Sequence, residues 1–352
     1  MSGSKQHYIP QFLLRNFGER KGKRETKVFV YHRNGKAFRT ATSKIAAQRH
    51  FYSAPAEDGG STLDDEITKF ENQIYTTLEN VTSGGNSDLD SIRIAEAIAH
   101  LCIRQASFRD LASKSMRKIS DIATETFSDE SKAWRAFGLH KEQPSKPVRE
   151  EFEKLYEKHQ LAFLLKGFLT RESFVNFAVN WTKENFSQNF RNTQTESQRL
   201  LAGVSKLADE IPSKAHIKAL QKNLAPPARV EHLAKMKWGV DQFDANSLIL
   251  SDCVAIGLDA DGSPNPLLFS GNAETVIAPL RHDLALVGSV EGVLPRRFSS
   301  EIINRASASS STDFFIARTE SPLFETLQSS IGSGPAARLE EIFDRVLGDL
   351  DW

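Results

Sequence analysis

The stretch TKVFVYHRNGKAFRTA, residues 26–41, decides the fold class, because it indicates antiparallel β structure in a chain whose long middle region follows helical periods. Apolar and polar residues alternate on both sides of Asn34-Gly35, and Asn-Gly is the strongest short-range hairpin signal. We therefore predict two antiparallel strands over residues 27–41.

The stretch before this hairpin, HYIPQFLLRNFG at 7–18, combines an apolar helix with polar side chains. A proline and a glycine flank QFLLRNF, which predicts a short helix of about two turns. Gln11 and Arg15 are four residues apart and share a helix face, with His7 brought close at the helix start. The three form a candidate ligand-facing triad. The alternative is structural: Arg15 pairs with a carboxylate, and Gln11 and His7 bond backbone groups.

The chain after the hairpin is predicted to be mainly helical. SKIAAQRHFYS predicts a helical turn that runs into an extended segment. Apolar residues then recur at steps of three and four over residues 63–81, where Ser61 or Thr62 can cap the helix, and again from Asp88 to about Ile119. The short connection predicts an antiparallel helix pair. Helical periods continue through residues 130–240.

After residue 240 the chain consists of strand-like segments separated by turns, with two helical segments at 298–309 and 335–350. The predicted class is α+β: an N-terminal helix and β-hairpin, a large helical body, and C-terminal antiparallel strands with short helices. The predicted regions are 1–60, 61–240 and 241–352, with the last packed on the first in one integrated domain.

Composition limits the class of protein. The 352 residues include 45 basic and 45 acidic side chains, which removes a whole-molecule electrostatic argument for nucleic acid or membrane binding but leaves a local basic groove open. Two isolated cysteines predict neither a disulfide framework nor a structural zinc site. Without a signal-peptide or membrane-spanning stretch, we expect a cytoplasmic protein with no membrane partner.

Several common chemistries have no motif in this chain. GxxxxGK[ST], GxGxxG after a strand, HExxH and GxSxG are all absent, so an ATP-binding P-loop, a dinucleotide fold, a zinc protease and an ordinary serine hydrolase are unsupported. DADGSPN at 259–265 is similar to a calcium loop but lacks the twelfth-position Glu, so we predict a plain hairpin turn. No metal and no cofactor is expected.

Two further segments supply candidate side chains. His50 precedes Phe51-Tyr52. Because histidine side chains in general change protonation near neutral pH, His7 and His50 are a candidate acid–base pair. Arg104 and Arg109 border the apolar stripe of the second long helix, a position from which guanidinium groups bind carboxylates or phosphates. Arg104 either pairs with Glu71 across the helix pair as a structural ion pair or faces a ligand.

In the strand-like SLILSDCVAI, alternation places Asp252 on the same face as Leu250 and Val254. A carboxylate there needs a cation or several N–H donors, which Arg or His from the N-terminal half would supply. The alternative is a bulge at Ser251, after which Asp252 begins a turn. By the same counting His282 shares a face with Leu280 and Leu284, and we predict a core histidine, with a further site member as the alternative.

The order of these segments resembles a bacterial domain-of-unknown-function family, number 4238, which often opens with an HYxPQxxLRxF-like box. The resemblance spans nearly the whole chain. It is carried by His7, Tyr8, Pro10, Gln11, Leu14, Arg15 and Phe17, by HFY at 50–52, Glu71, RQASFR with Arg104 and Arg109, Trp238, and Ser251-Asp252. This chain departs from the family pattern at Cys253, after the Ser-Asp pair, and at PLRH, residues 279–282.

The resemblance implies a site more than a reaction. It adds Glu71 as an acidic residue that orients a His or pairs with an Arg, and Ser251 as a ligand-binding neighbour of Asp252. Asn304 is similar to a family Asn on a helix, which implies that it caps or bridges backbone. Three hypotheses remain open: a metal-independent nucleic-acid hydrolase, RNA first, in defence or stress response; a non-catalytic module that binds or senses an anionic ligand; and a buried polar network. In the first, the catalytic residues are His7, His50, Glu71 and Asp252, and the ligand-binding residues are Gln11, Arg15, Arg104, Arg109 and Ser251.

Overall fold

The computed structural model describes residues 5–20, 22, 25–53, 62–83, 90–142, 145–165, 170–270, 273–290 and 298–334. These residues form two compact units. The first contains the described residues up to Leu111 and from Ile211 to 334, and the second contains those within Ala112–Glu210. Helices and antiparallel sheets occur together, which confirms the predicted α+β class. The boundaries at 60 and 240 stay a prediction.

The N-terminal elements of the first unit follow the sequence pattern closely. They are β1 (Lys5–His7), α1 (Gln11–Asn16), β2 (Lys27–His32), β3 (Phe38–Ala41), a 3-10 turn (Thr42–Lys44) and β4 (Ala47–Arg49). β2 and β3 pair antiparallel, and β4 pairs antiparallel with β1. The predicted short helix, hairpin, and turn followed by an extended segment are confirmed.

The first long helix, α2 (Leu63–Thr82), is also confirmed, and Thr62 caps it in a reciprocal capping box with Asp65. The predicted second helix is wrong in one respect. It is two helices, α3 (Ser91–Ile103) and α4 (Ala106–Ser128), with Arg104 and Gln105 between them. The helix ends here because both side chains turn inward to buried polar partners instead of following the helix surface.

The helical region continues with five further helices: α5 (Glu130–Ala136), α6 (Lys146–Leu165), α7 (Arg171–Leu207), α8 (Glu210–Lys222) and α9 (Pro227–Ala234). Within the second unit, Phe186 and Phe190 of α7 pack with Ala133 of α5 and with Leu139. This unit therefore has an apolar core of its own.

The C-terminal strands form two sheets in the first unit. The elements are β5 (Lys237–Gln242), β6 (Leu250–Ser251), β7 (Ile256–Leu258), β8 (Pro264–Pro266), β9 (Thr275–Arg281), β10 (Leu284–Ser289), α10 (Ser300–Ser310), β11 (Phe314–Ala317) and α11 (Pro322–Gln328). One sheet has the order β5-β10-β9-β7-β8 and the other β3-β2-β11-β6, so N-terminal and C-terminal strands share the second sheet. The predicted helix at 335–350 lies outside the described residues.

A turn interrupts the segment around Asp252. β6 ends at Ser251, and Val254 has a φ of +59°, so the chain does not continue as a strand to β7. The shared face proposed for Leu250, Asp252 and Val254 is therefore wrong, and the turn alternative is the one observed. The hairpin turn predicted within 259–265 is confirmed, since residues 259–263 join β7 and β8.

The main core lies where α1 meets the helices and the larger sheet. Leu13, Leu14 and Phe17 of α1 are buried in the same cluster as Ile98 of α3 and Leu286 of β10. Burial of these side chains fixes α1 and thereby the polar residues that flank it.

Candidate functional site

Arg104, at the break between α3 and α4, is the centre of a buried polar network. Its guanidinium is fully buried and donates to the carboxylate of Glu71 and to the carbonyl oxygen of His7, and its Nε donates to Tyr52 Oη at 3.2 Å. The Tyr52 hydroxyl in turn donates to the Arg104 carbonyl at 3.1 Å. The structural alternative for Arg104 and Glu71, an ion pair across the helices, is the one observed.

Two glutamines that the sequence analysis missed complete this network. Gln105 is buried and donates to the carbonyl of Cys253. Gln6 is buried and accepts from the Tyr52 N–H at 2.6 Å. For Gln105 a signal was present, since this polar residue falls on the apolar stripe between Leu101 and Phe108.

The network connects four segments that are distant in sequence. The N-terminal strand, Phe51-Tyr52, Glu71 and the loop at Cys253 all reach Arg104 or Gln105. Because a buried charge and buried amides need partners, these contacts hold the segments in place. Segments that carry the family resemblance in the sequence thus lie close together in the structure.

Arg109, one turn into α4, has different surroundings. Its guanidinium lies 3.7 Å from the centroid of the Phe51 ring, Nη2 donates to the Phe51 carbonyl at 2.6 Å, and Nε donates to His216 Nδ1 at 2.8 Å. Burial lowers the pKa of Arg109 to about 10. His216 was not predicted, because nothing in the spacing of α8 separates it from other helical residues.

Asp252 is buried, and backbone groups rather than cations compensate it. The carboxylate accepts from the N–H of Thr312 (2.8 Å), Asp313 (2.7 Å) and Phe314 (3.2 Å). Burial raises the pKa of Asp252 to about 6, against the lowering effect of these three bonds. The expectation of several N–H donors is confirmed, but the expectation that Arg or His supplies the compensation is wrong.

Ser251 is buried beside Asp252 and is bonded within the fold. Its hydroxyl oxygen accepts from the Cys253 N–H at 3.0 Å and from the Ser311 hydroxyl at 2.9 Å. These contacts give Ser251 a structural setting at the end of β6.

His7 and Gln11 come together, as predicted, and Arg15 does not join them. Gln11 Nε2 lies 3.0 Å from His7 Nε2 and donates to the Thr42 carbonyl at 2.7 Å. The Arg15 side chain is exposed and makes no hydrogen bond or ion pair with another described residue, whereas its carbonyl accepts from the Gly18 N–H. Burial, with the nearby Lys5 charge, lowers the pKa of the half-buried His7.

His50 is exposed and has no contact with His7. Its backbone adopts a φ of +55°, and its Nδ1 lies 3.3 Å from the Ser53 hydroxyl. It lies three residues after Ala47, the strand partner of His7, and directly after the end of β4. An acid–base pair of these two histidines would have to span a substrate between them.

The two other polar residues singled out in the sequence have structural settings. His282 is buried at the β9–β10 turn, where Nδ1 accepts from the Asn246 N–H at 3.1 Å. Asn304 on α10 accepts from the Ile249 N–H at 3.0 Å and donates to the Ser247 carbonyl at 2.6 Å. The predictions of a core histidine and a backbone-bridging asparagine are confirmed.

The described residues contain no group of three or more His, Cys, Asp or Glu side chains placed to hold a metal ion. In the same part of the chain, no helix combines the length and apolar character that a bilayer crossing requires. A groove of about 1010 Å³ in the first unit lies near Leu258, Ile302 and Leu327, and none of the predicted site residues lines it.

Comparison with protein families matches residues 5–318 to the family described as Protein of unknown function (DUF4238). The chain belongs to this family. The DUF4238 match begins at β1 and ends one residue after β11, so it includes every segment that meets at Arg104 and Gln105. Neither the curated proteins nor the solved structures that were searched contain a match.

Proposed function

We propose that this protein binds a nucleic acid, with RNA as the first candidate, through its basic N-terminal segment, defined as residues 1–53. The carrying observation is the distribution of charge. This segment holds 12 Lys and Arg against 2 acidic residues, which leaves 33 basic and 43 acidic residues in the rest of a chain that is neutral as a whole. A local excess of this size attracts polyanions, since phosphates are the dominant determinant of nucleic-acid affinity.

Most of this positive charge is available to a ligand. Eight of the described Lys and Arg residues in the segment are exposed and make no ion pair with a carboxylate: Lys5, Arg15, Arg20, Lys27, Arg33, Lys36, Lys44 and Arg49. Among the described Lys and Arg residues of the segment, Arg39 pairs with an acidic residue, Glu19. Binding phosphates releases the counterions that such unpaired cations share with solvent.

The β1–β4 pair concentrates charge on one face, here called the basic face and defined by Lys5, His7 and Arg49. Lys5 lies directly opposite Arg49, and His7 is two residues from Lys5 on the same side, whereas the intervening Gln6 is buried. Like charges directly opposite each other destabilise a strand pair. A bound phosphate between them would relieve that repulsion.

A hydrolytic role is a second candidate, and the state of His7 favours it. Its lowered pKa keeps the imidazole neutral at physiological pH, and Gln11 orients the ring. A neutral, oriented imidazole beside two cations has the properties of a general base acting on a ribose hydroxyl next to a bound phosphate. The buried Arg104 and Glu71 would then position this residue through the His7 carbonyl.

Binding is tested by fluorescence anisotropy with a labelled single-stranded RNA and a DNA of the same sequence. We expect Lys5→Ala/Arg49→Ala to weaken RNA binding about tenfold or more, because phosphate contacts are lost uniformly across sequences. The matched control is Lys218→Ala/Lys222→Ala on α8, which removes two exposed, unpaired lysines outside the segment. Equal affinities for both double variants would contradict the proposal.

Hydrolysis is tested with end-labelled RNA on denaturing gels. We expect His7→Ala to lower the cleavage rate by about 10²-fold or more while RNA affinity is unchanged, the range typical of a lost general base. His50→Ala decides whether the second histidine takes part, since a rate equal to the wild type would remove it from the mechanism. Binding by the wild type without any turnover would contradict hydrolysis and leave the binding proposal intact.

A further inference from the structure

Arg109 is a partly buried guanidinium whose charge is not paired. Arg104, five residues earlier, is fully buried and neutralised by Glu71. In the described part of the chain, no carboxylate lies within ion-pairing distance of Arg109, although the charge of the neighbouring Asp110 acts on it. Removing a charge from water without a counterion is unfavourable, so an anion bound beside Arg109 would be stabilising.

The guanidinium is held in one orientation on three sides. The Phe51 ring covers one face, Nη2 donates to the Phe51 carbonyl, and Nε donates to His216 Nδ1. Among described residues it makes no other hydrogen bond, so the remaining N–H groups at the Nη1 edge are left for a ligand. A rigid fork of this kind matches a phosphate better than a flexible lysine does.

His216 sets the orientation because its tautomer is determined by its partners. Nδ1 accepts from Arg109, so Nε2 carries the proton and donates to the Ile103 carbonyl at 2.5 Å. The ring is buried, and burial with the Arg109 charge lowers the pKa of His216 to about 4. His216 is thus a neutral acceptor across the physiological pH range and acts as a positioning residue.

We propose that Arg109 is a preformed binding point for one phosphate group, with the guanidinium positioned by Phe51 and His216. That the ligand is a phosphate follows from the geometry of Arg109. That this phosphate belongs to a nucleic acid rests on the proposed function. Tyr8 connects the basic face with the Arg109 site. It follows His7 of the basic face, and its ring centroid lies 5.6 Å from that of Phe51.

The test measures binding of inorganic phosphate by isothermal titration, with acetate at the same ionic strength as the carboxylate probe. We expect Arg109→Gln to weaken phosphate binding at least tenfold, and Arg109→Lys to remain weaker than wild type because it keeps the charge but loses the fork. Arg117→Gln is the matched control, since this exposed arginine lies two turns further along α4. Phosphate affinity that is equal in wild type, Arg109→Gln and Arg109→Lys would overturn the inference, as would acetate bound as tightly as phosphate.

The positioning role of His216 has its own measurement. His216→Phe keeps a ring in the cavity but removes the acceptor, so we expect about tenfold weaker phosphate binding. His216→Asn places an amide oxygen near the former Nδ1 and should restore part of the affinity. Equal phosphate affinity in His216→Phe and wild type, with both proteins folded by circular dichroism, would contradict this role.

The inference and the proposed function fail in different ways. Phosphate binding that depends on Arg109, in a protein that binds no RNA, would overturn the proposed function and leave the Arg109 site standing. RNA binding that is lost in Lys5→Ala/Arg49→Ala but unchanged in both Arg109 variants would overturn the Arg109 site alone.

Discussion

At the scale of single residues, the difference between Arg104 and Arg109 separates structure from function in this site. The Arg104 guanidinium donates hydrogen bonds to Glu71, His7 and Tyr52, all within the fold. Arg109 keeps an edge free of described partners. The residue types alone do not distinguish the two, because both arginines border the same apolar stripe.

Loss of Glu71 should destabilise the protein. Glu71→Ala leaves the Arg104 charge buried without its counterion, so we expect the free energy of unfolding to fall by about 3 kcal/mol in urea denaturation. Glu66→Ala is the matched control, because Glu66 is exposed on the same helix, and it should change the value by less than about 0.5 kcal/mol. Similar effects of the two variants would contradict a structural role for the pair.

Asp252 should make stability depend on pH in an unusual direction for a carboxylate. Its pKa of about 6 exceeds the value of about 3.9 expected in the unfolded chain, so the folded protein binds this proton more tightly. Its contribution to the free energy of unfolding is therefore complete below about pH 4 and is lost as the pH rises to about 6, by up to about 3 kcal/mol.

The measurement for Asp252 is urea unfolding of wild type and Asp252→Asn at several pH values between 4 and 7. Because the asparagine does not titrate, the stability of wild type relative to the variant should decrease as the pH rises through this window. A relative stability that is constant, or that increases with pH, would contradict the raised pKa.

At the scale of elements, the two breaks in regular structure build the site. The gap between α3 and α4 brings Arg104 and Gln105 inward, and the turn after β6 presents Asp252 to the N–H groups of residues 312–314. Periodicity predicted the hairpin at 27–41 and α2, where local pattern and tertiary packing agree. It missed the break between α3 and α4 and gave the turn at Asp252 only as an alternative, because each break depends on buried polar partners distant in sequence.

Asn304 tests how α10 is attached to the sheet. Asn304→Ala leaves the Ile249 N–H and the Ser247 carbonyl without partners, so we expect a loss of about 2 kcal/mol in the free energy of unfolding. Arg305→Ala is the control on the same helix, since its pair with Glu301 is exposed and contributes little. Thermal denaturation of both variants tests this expectation. Equal melting temperatures would contradict a stabilising role for the Asn304 hydrogen bonds to Ile249 and Ser247.

At the scale of the whole molecule, the chain has no net charge, although its segment 1–53 is strongly basic. Total charge, with 45 residues of each sign, gave no reason to expect a polyanionic partner, and only the local count within residues 1–53 does so. The sequence carried this signal, whereas the pairing that brings Lys5 opposite Arg49 required the structure. Net charge therefore describes the solubility of such a protein better than its partners.

The most direct test of the central claim is the salt dependence of RNA binding. Affinity is measured by anisotropy from about 50 to 200 mM salt for wild type, Lys5→Ala/Arg49→Ala and Lys218→Ala/Lys222→Ala. We predict a linear fall of log affinity with log salt for wild type, and a slope smaller by about two for the Lys5/Arg49 variant only. An absence of salt-dependent RNA binding in the wild type, or an identical slope in all three proteins, would contradict a nucleic-acid interface on the basic face.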